Sequence, residues 1–217
     1  MAKIQFRKCC KNAYNGNVQA LTPIATERHP MYRFERHAPF DLTVYADPGQ
    51  DRSGPPLTQG GIFLLISTTA SEHCSPEMLD VLDEIDPEAW YHGQLLETML
   101  NSFEDQDPAL VVDVGKNIYY SMETQFRAVG IQKPEDVITT IPMMWVYATR
   151  GDGGEWRTRM TGDKTAIIEM EQPYNCMFEQ GAMQGALECF DARDVQMNHS
   201  KCIRNGDAFC ELHVSWK

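Results

Sequence analysis

The chain has 217 residues, of which 42% are hydrophobic and 23% are charged, as is usual for a globular protein. Its formal net charge of −12 argues against nucleic acid and anionic membranes as partners, because phosphate-rich surfaces attract Lys and Arg. No apolar run approaches the roughly 18 residues that a transmembrane helix needs. Seven cysteines, an odd number, without an apolar leader at the N-terminus favour a reducing cytoplasm over a disulfide framework.

Residues 1–80 are loop-rich and extended, and they either form a separate region or belong to the domain that residues 81–217 form. Two segments in this part are predicted to be strands. Phe40–Tyr45 is rich in β-branched and aromatic residues, and Gly61–Thr69 is largely a continuous apolar run. The loop DPGQDRSGPPLTQGG lies between them.

Three helices are predicted in the middle of the chain. Asp86-Pro87-Glu88 and Asp107-Pro108 each combine an N-cap residue with a proline at the first helical position. A third start signal lies at Lys133-Pro134-Glu135-Asp136, and Pro142 should kink that helix or move its start. An apolar stripe follows the first start signal, as expected for a helix that packs on a core.

The pattern then changes to strand periodicity. Residues 155–160 and 164–170 predict a hairpin around Thr161-Gly162-Asp163, and a helix follows over residues 174–190. A second hairpin turns at Asn205-Gly206-Asp207 and returns along Phe209–Trp216. This order predicts an α+β fold in which helices back an antiparallel sheet, with a metal-binding hairpin at the C-terminus.

Four residues of this last segment have the types of a closed zinc site: Cys176, His199, Cys202 and Cys210. Zinc takes about four soft or borderline ligands in a tetrahedron, and three cysteines with one histidine form a standard structural set. The hairpin would bring Cys202 and Cys210 together. The alternative is that these are ordinary buried thiols, since free cysteine is among the most buried residue types. Cys189 is the reserve ligand if His199 points away.

The same segment resembles the 4-vinyl-reductase (hydrocarbon-binding) domain family, which includes the sensor domains of phenol-responsive transcription activators. The resemblance covers about residues 171–216 and rests on the run Cys176 to Gly181, on Gly185-Ala-Leu, on Cys202, on Gly206-Asp207 and on Cys210. It implies three cysteine ligands to zinc, and His199 stands where the family has an acidic ligand. It also implies a homodimer, with contacts expected from Trp90–Phe103 and Ile118–Phe126.

Large apolar side chains predict a cavity for a small hydrophobic or aromatic molecule. Those expected to meet over the sheet, and so to bind the ligand, are Trp145, Trp156, Met183 and Met197. Plain core packing is the alternative for each of them. The sequence therefore favours a zinc-stabilised binding protein, a free-standing sensor or carrier, with no catalytic residue identified. An enzyme or accessory protein of tetrapyrrole modification, or a small hydrolase, is the other hypothesis.

Overall fold

The computed structural model describes residues 32–42 and 54–217. The helices are α1 (Gly60–Ala70), α2 (Pro76–Asp83), α3 (Gly93–Gln106), α4 (Pro108–Ser121), α5 (Glu123–Ala128), α6 (Pro134–Ala148) and α7 (Cys176–Glu188). The strands are β1 (Leu57–Gln59), β2 (Trp90–His92), β3 (Thr149–Arg150), β4 (Trp156–Gly162), β5 (Thr165–Met170), β6 (Gln196–Lys201) and β7 (Cys210–Ser215). The α+β fold class is confirmed.

Two of the three helix starts are confirmed. Helix α4 begins at Pro108, and the side chain of Asp107 accepts a hydrogen bond from the Ala109 amide at 2.8 Å. Helix α6 begins at Pro134 and continues through Pro142. The start at Asp86 was wrong, because strand β2 intervenes and the helix begins only at Gly93.

The segment Gly61–Thr69 forms most of helix α1, so the strand predicted there was wrong. Its apolar run does not alternate, and a short continuous run of this kind fits a buried helix as well as a strand. Phe63, Ile66 and Ala70 are buried, at a helical spacing. Half of the strand predicted over Phe40–Tyr45, residues 43–45, lies outside the described residues.

Strands β4 to β7 form an antiparallel sheet in the order β4-β5-β7-β6, so the two predicted hairpins lie side by side. The smaller sheet has the order β2-β1-β3. Alternate residues of β7, namely Cys210, Leu212 and Val214, are buried against the helices. The sheet therefore presents one face to the core and the other to solvent, as antiparallel sheets commonly do.

Helices α4 and α7 pack backbone to backbone through glycines. A Cβ atom on Gly181 would lie 2.0 Å from the carbonyl oxygen of Val112, and one on Gly185 would lie 2.4 Å from that of Lys116. From the other side, a Cβ on Gly115 would lie 2.2 Å from the carbonyl oxygen of Phe178. This close approach fixes α7, and with it Cys176 at the first position of that helix.

One continuous core joins the helices from α1 to α7 and the four-stranded sheet. Within the described ranges, no helix combines the length and the apolar character that crossing a membrane requires. The division of the chain at residue 80, a cytoplasmic location and the homodimer stay predictions.

Candidate functional site

Four side chains from three parts of the C-terminal fold converge on one point. The ligand atoms of Cys176, His199, Cys202 and Cys210 all lie within 4.8 Å of one another. Cys176 and Cys210 are buried, and His199 and Cys202 are half-buried. We call these four residues the Cys/His cluster. The sequence predicted this grouping, and the cluster could hold a metal ion.

Cys176 is placed by the start of helix α7. The side-chain oxygen of Asn175 caps that helix, accepting hydrogen bonds from the amides of Met177 at 3.0 Å and Phe178 at 3.3 Å. Cys176 therefore sits in the first turn, where the helix dipole favours a negative thiolate.

The hairpin places the other three ligands. His199 lies opposite Leu212, and the register shifts between His199 and Lys201, so the strand is irregular where the cluster begins. A short turn, Ile203–Asn205, follows Cys202 and ends at Gly206, whose φ of 97° suits glycine. The amide of Cys202 donates to the carboxylate of Asp207 at 2.8 Å, which closes the turn.

One nitrogen of the cluster has no partner, and the sulfur atoms have only weak ones. His199 Nε2 is buried with no hydrogen-bond partner. Burial, the largest cause, lowers the pKa of His199 below its usual range, which keeps the imidazole neutral and its free nitrogen available as a ligand. The Sγ atoms of Cys176 and Cys202 lie 3.5 Å apart, and the amide of Ile203 donates to the Sγ of Cys210 at 3.4 Å.

Raised pKa values favour the protonated form of the Cys176 and Cys202 thiols unless a cation is present. The pKa of Cys176 is raised far above its usual range, first by a hydrogen bond with Cys210 and then by burial. Burial likewise raises the pKa of Cys202. A bound metal cation reverses both effects, because it stabilises the thiolates that coordinate it.

Arg204 ties the hairpin turn to helix α3. It donates to both carboxylate oxygens of Glu104, at 2.9 and 2.8 Å, and to the side-chain oxygen of Asn101 at 2.6 Å. Asn175, beside Cys176, donates to Glu104 at 2.8 Å and to Asn101 at 3.1 Å. The two segments that carry cysteine ligands therefore share one polar anchor on α3.

The residues predicted to bind a ligand lie in and around the core. Trp145 and Trp156 stack with ring centroids 4.9 Å apart, and Trp145 meets Tyr174 edge to face. Met183 is fully buried on α7, and Met197 is half-buried on β6. The structure brings the two tryptophans together, and a ligand-binding role for the four residues stays a prediction.

A cavity of about 190 Å³ lies beside the cluster, and sequence reasoning missed it. Its wall includes Cys176 and Cys210 together with Glu97 of α3, which is only 6% exposed. A signal was present in the sequence. Four polar residues of α3, Gln94, Glu97, Thr98 and Asn101, recur at the spacing of one helix face, and all four are buried.

The sequence matches no known family profile and no curated protein. In three dimensions the chain is similar to H-NOX proteins. One from S. oneidensis, in the Fe(II)NO ligation state, has 12% identity and a TM-score of 0.58, covering 74% of this chain and 99% of that one. One from K. algicida, in the Fe(II) unliganded state, has 11% identity and a TM-score of 0.56, covering 74% of this chain and 97% of the other.

These comparisons correct two expectations. Zinc as the cofactor was wrong, because the solved structures that share the fold are described in Fe(II) states and point to iron. No family profile matches the chain, so membership of the 4-vinyl-reductase family is not supported. What is supported is the coarser expectation that the chain shares its fold with ligand-binding domains. At about one residue in eight identical, the likeness speaks for the fold alone: this chain has the fold of the H-NOX proteins.

Proposed function

We propose that this chain is a small-molecule-binding domain, a sensor or carrier, in which the Cys/His cluster binds one metal ion. The observation that carries the proposal is the convergence of four ligand side chains, with ligand atoms within 4.8 Å, and His199 of this set has a buried Nε2 without a partner. The ion is of the thiophilic class, since thiolate and imidazole together suit such metals, iron among them.

Ordinary thiol packing accounts less well for the cluster. Three buried or half-buried cysteines need no partner, because a thiol packs as a small hydrophobic group. An imidazole nitrogen does need one, and leaving a buried acceptor unsatisfied costs about 1–3 kcal/mol. A metal ion satisfies the nitrogen of His199 and the three sulfur atoms at once.

The metal has a structural role in this proposal. Four protein ligands complete a tetrahedron, which leaves no open position for a substrate or for a gas such as NO. The NO and CO ligation named for the H-NOX structures of similar fold is therefore not carried over to this cluster. The ion instead fastens the start of α7 to the β6–β7 hairpin, and residues of both line the cavity.

A small ligand is the second part of the proposal. The fold is shared with proteins solved with small molecules bound to iron. The stacked pair Trp145 and Trp156, with Met183 and Met197 on neighbouring elements, supports binding of a small hydrophobic or aromatic molecule at the sheet–helix interface.

The test compares two cysteine variants. Cys202→Ser removes a cluster ligand, whereas Cys189→Ser changes a half-buried cysteine outside the cluster. We expect Cys202→Ser to lose the metal and to melt at least about 5 °C lower, while Cys189→Ser keeps the metal and melts within about 2 °C of the parent. Equal metal content and equal melting in the two variants would overturn the proposal.

A further inference from the structure

The cavity beside the Cys/His cluster is lined by several elements. Residues of the segment 32–36, of helix α3, of the stretch before and at the start of α7 and of the β6–β7 hairpin form its wall. Gln94 fastens the segment by accepting from the amide of Glu35 and donating to its carbonyl oxygen, both at 2.8 Å. Asn101 adds a hydrogen bond to the carbonyl oxygen of Arg36 at 2.9 Å. This part of the cavity wall is therefore held by hydrogen bonds in a defined position.

One polar atom on the cavity wall has no partner. Glu97 receives a hydrogen bond on Oε1 from Asn101 at 2.9 Å, but its Oε2 is buried and unpartnered. The hydrogen bonds of the neighbouring side chains go to other residues, since Arg204 donates to Glu104 and Asn101, and the Asn175 side chain donates to the same two residues. What the cavity lacks is a hydrogen-bond donor, and an occupant that supplies one satisfies Glu97.

The charges around the cavity favour a cationic donor. Arg36 is paired with Asp105 at 2.5 Å and Arg204 with Glu104 at 2.8 Å, so Glu97 keeps only a long ion pair with Arg204 through its Oε1. Arg204 stands 3.9 Å from Glu97 Oε1, beyond hydrogen-bond distance. Arg33, the other cation on the wall, is exposed, so water screens its charge. A divalent ion bound by three thiolates and a neutral imidazole would form a centre with a net negative charge. Cys176 and Cys210 of that centre are part of the cavity wall, so its charge also favours a cation.

The aromatic residues of the wall and the size of the cavity indicate the body of the ligand, apart from its cationic group. Tyr32, Phe34 and Tyr174 line it, and Phe34 lies between the other two with ring centroids 5.2 and 5.3 Å away. Aromatic faces attract cations and also accept apolar groups. A volume of about 190 Å³ exceeds the ~150 Å³ of an engineered cavity that admits benzene.

We propose that this cavity binds a small primary amine as its ammonium ion, with the nitrogen donating to Glu97 Oε2 and a body of about one ring lying against the aromatic wall. The inference rests on the proposed function for the negative charge of the metal centre. It names a site separate from the tryptophan pair.

Benzylamine is the probe, with benzyl alcohol as its neutral counterpart and benzoate as its anionic one. Each is titrated into the metal-loaded protein and followed by calorimetry and by amide NMR shifts. The work is done at about pH 8, because burial raises the pKa of Glu97 to about 7. We expect saturable binding of benzylamine, at least about tenfold tighter than benzyl alcohol, and no binding of benzoate.

Two variants keep the test decisive. Glu97→Gln retains the shape of the side chain and should reduce the preference for benzylamine over benzyl alcohol to about twofold or less, while exposed Glu84→Gln changes nothing. If Glu97→Gln folds poorly, Phe34→Leu serves instead and should weaken benzylamine binding several-fold. Equal binding of amine and alcohol, or no saturable binding because water alone fills the cavity, would overturn the inference. Elemental analysis of the same sample separates the two proposals, because metal-loaded protein that fails to bind benzylamine contradicts the amine site alone, whereas protein without metal contradicts the proposed metal site.

Discussion

Arg204 Nη1 donates to both carboxylate oxygens of Glu104, at 2.9 and 2.8 Å, and this ion pair joins the turn that follows Cys202 to helix α3. Glu104 also receives a hydrogen bond from Asn175, the residue before Cys176. This one carboxylate thus orients two segments that carry cluster ligands. The geometry of the cluster depends on helix α3 although α3 supplies no ligand.

Arg204→Met should therefore weaken metal retention. The substitution keeps the length of the side chain but removes the ion pair, and it leaves Glu104 short of a partner in a partly buried place. We expect a loss of about 1–3 kcal/mol in stability and faster release of the metal to a chelator. A double-mutant cycle with Glu104→Gln should return a coupling energy above ~0.5 kcal/mol, and additive effects would show that the pair does not act as a unit.

Gly181→Ala should destabilise the fold. The new methyl group would lie 2.0 Å from the carbonyl oxygen of Val112, so helices α4 and α7 must separate. We expect a decrease of at least about 2 kcal/mol in the free energy of unfolding, measured with urea. Gly130→Asn is the control, because that position has open space around it and Asn tolerates its φ of 97°. Similar unfolding energies for the two variants would contradict the close packing.

Stability should fall as the pH rises because of Glu179. Burial, with a smaller contribution from Glu97, raises the pKa of this carboxyl from 4.5 to about 8. Below 4.5 it is protonated in both the folded and the unfolded chain, so it contributes no pH dependence there. Between 4.5 and about 8 the unfolded chain releases the proton and the folded chain keeps it, so unfolding becomes more favourable.

Glu179→Gln should remove the share of this dependence that comes from Glu179, and the smaller share that comes from Glu97, whose pKa burial raises to about 7, should stay. The neutral amide has no proton to lose, and the variant should be more stable than the parent at about pH 8 by more than ~1 kcal/mol. Urea unfolding across the pH range measures the difference, with exposed Glu84→Gln as the control that keeps the parent's slope. An unchanged slope in Glu179→Gln would mean that the carboxyl is ionised in the folded state.

The homodimer is a further prediction for sedimentation. The apolar residues of the two helical stretches expected at the contact, such as Leu95, Phe103 and Ile118, are buried within this chain. A contact there must use the exposed positions of the same helices. A sedimenting mass of twice 24.7 kDa at micromolar concentration is expected, and a single-chain mass would contradict the dimer.

Local signals in the sequence predicted much of the site. Asn205-Gly206-Asp207 predicted the turn that joins β6 to β7, and the ligand types around it predicted the cluster. Short-range turn chemistry and hairpin register suffice for this, because three of the four ligands lie within twelve residues of one another.

Contacts between distant segments could not be predicted in the same way. The segment 32–36 meets α3 about sixty residues later through backbone groups, which leave no mark in the sequence. The unpartnered oxygen of Glu97 depends on where Asn101 and Arg204 point, and that is set by tertiary packing. The strand predicted at Gly61–Thr69 failed because its apolar residues are buried by distant elements and not by a sheet.

The metal content of the purified protein tests the central claim most directly. The protein is prepared without chelator, and its metal is counted by elemental analysis and by native mass spectrometry, which also gives the mass of each complex. The account predicts about one thiophilic metal ion per chain, retained in Cys189→Ser and lost in Cys210→Ser. A folded protein with no bound metal, or full occupancy in Cys210→Ser, would contradict it.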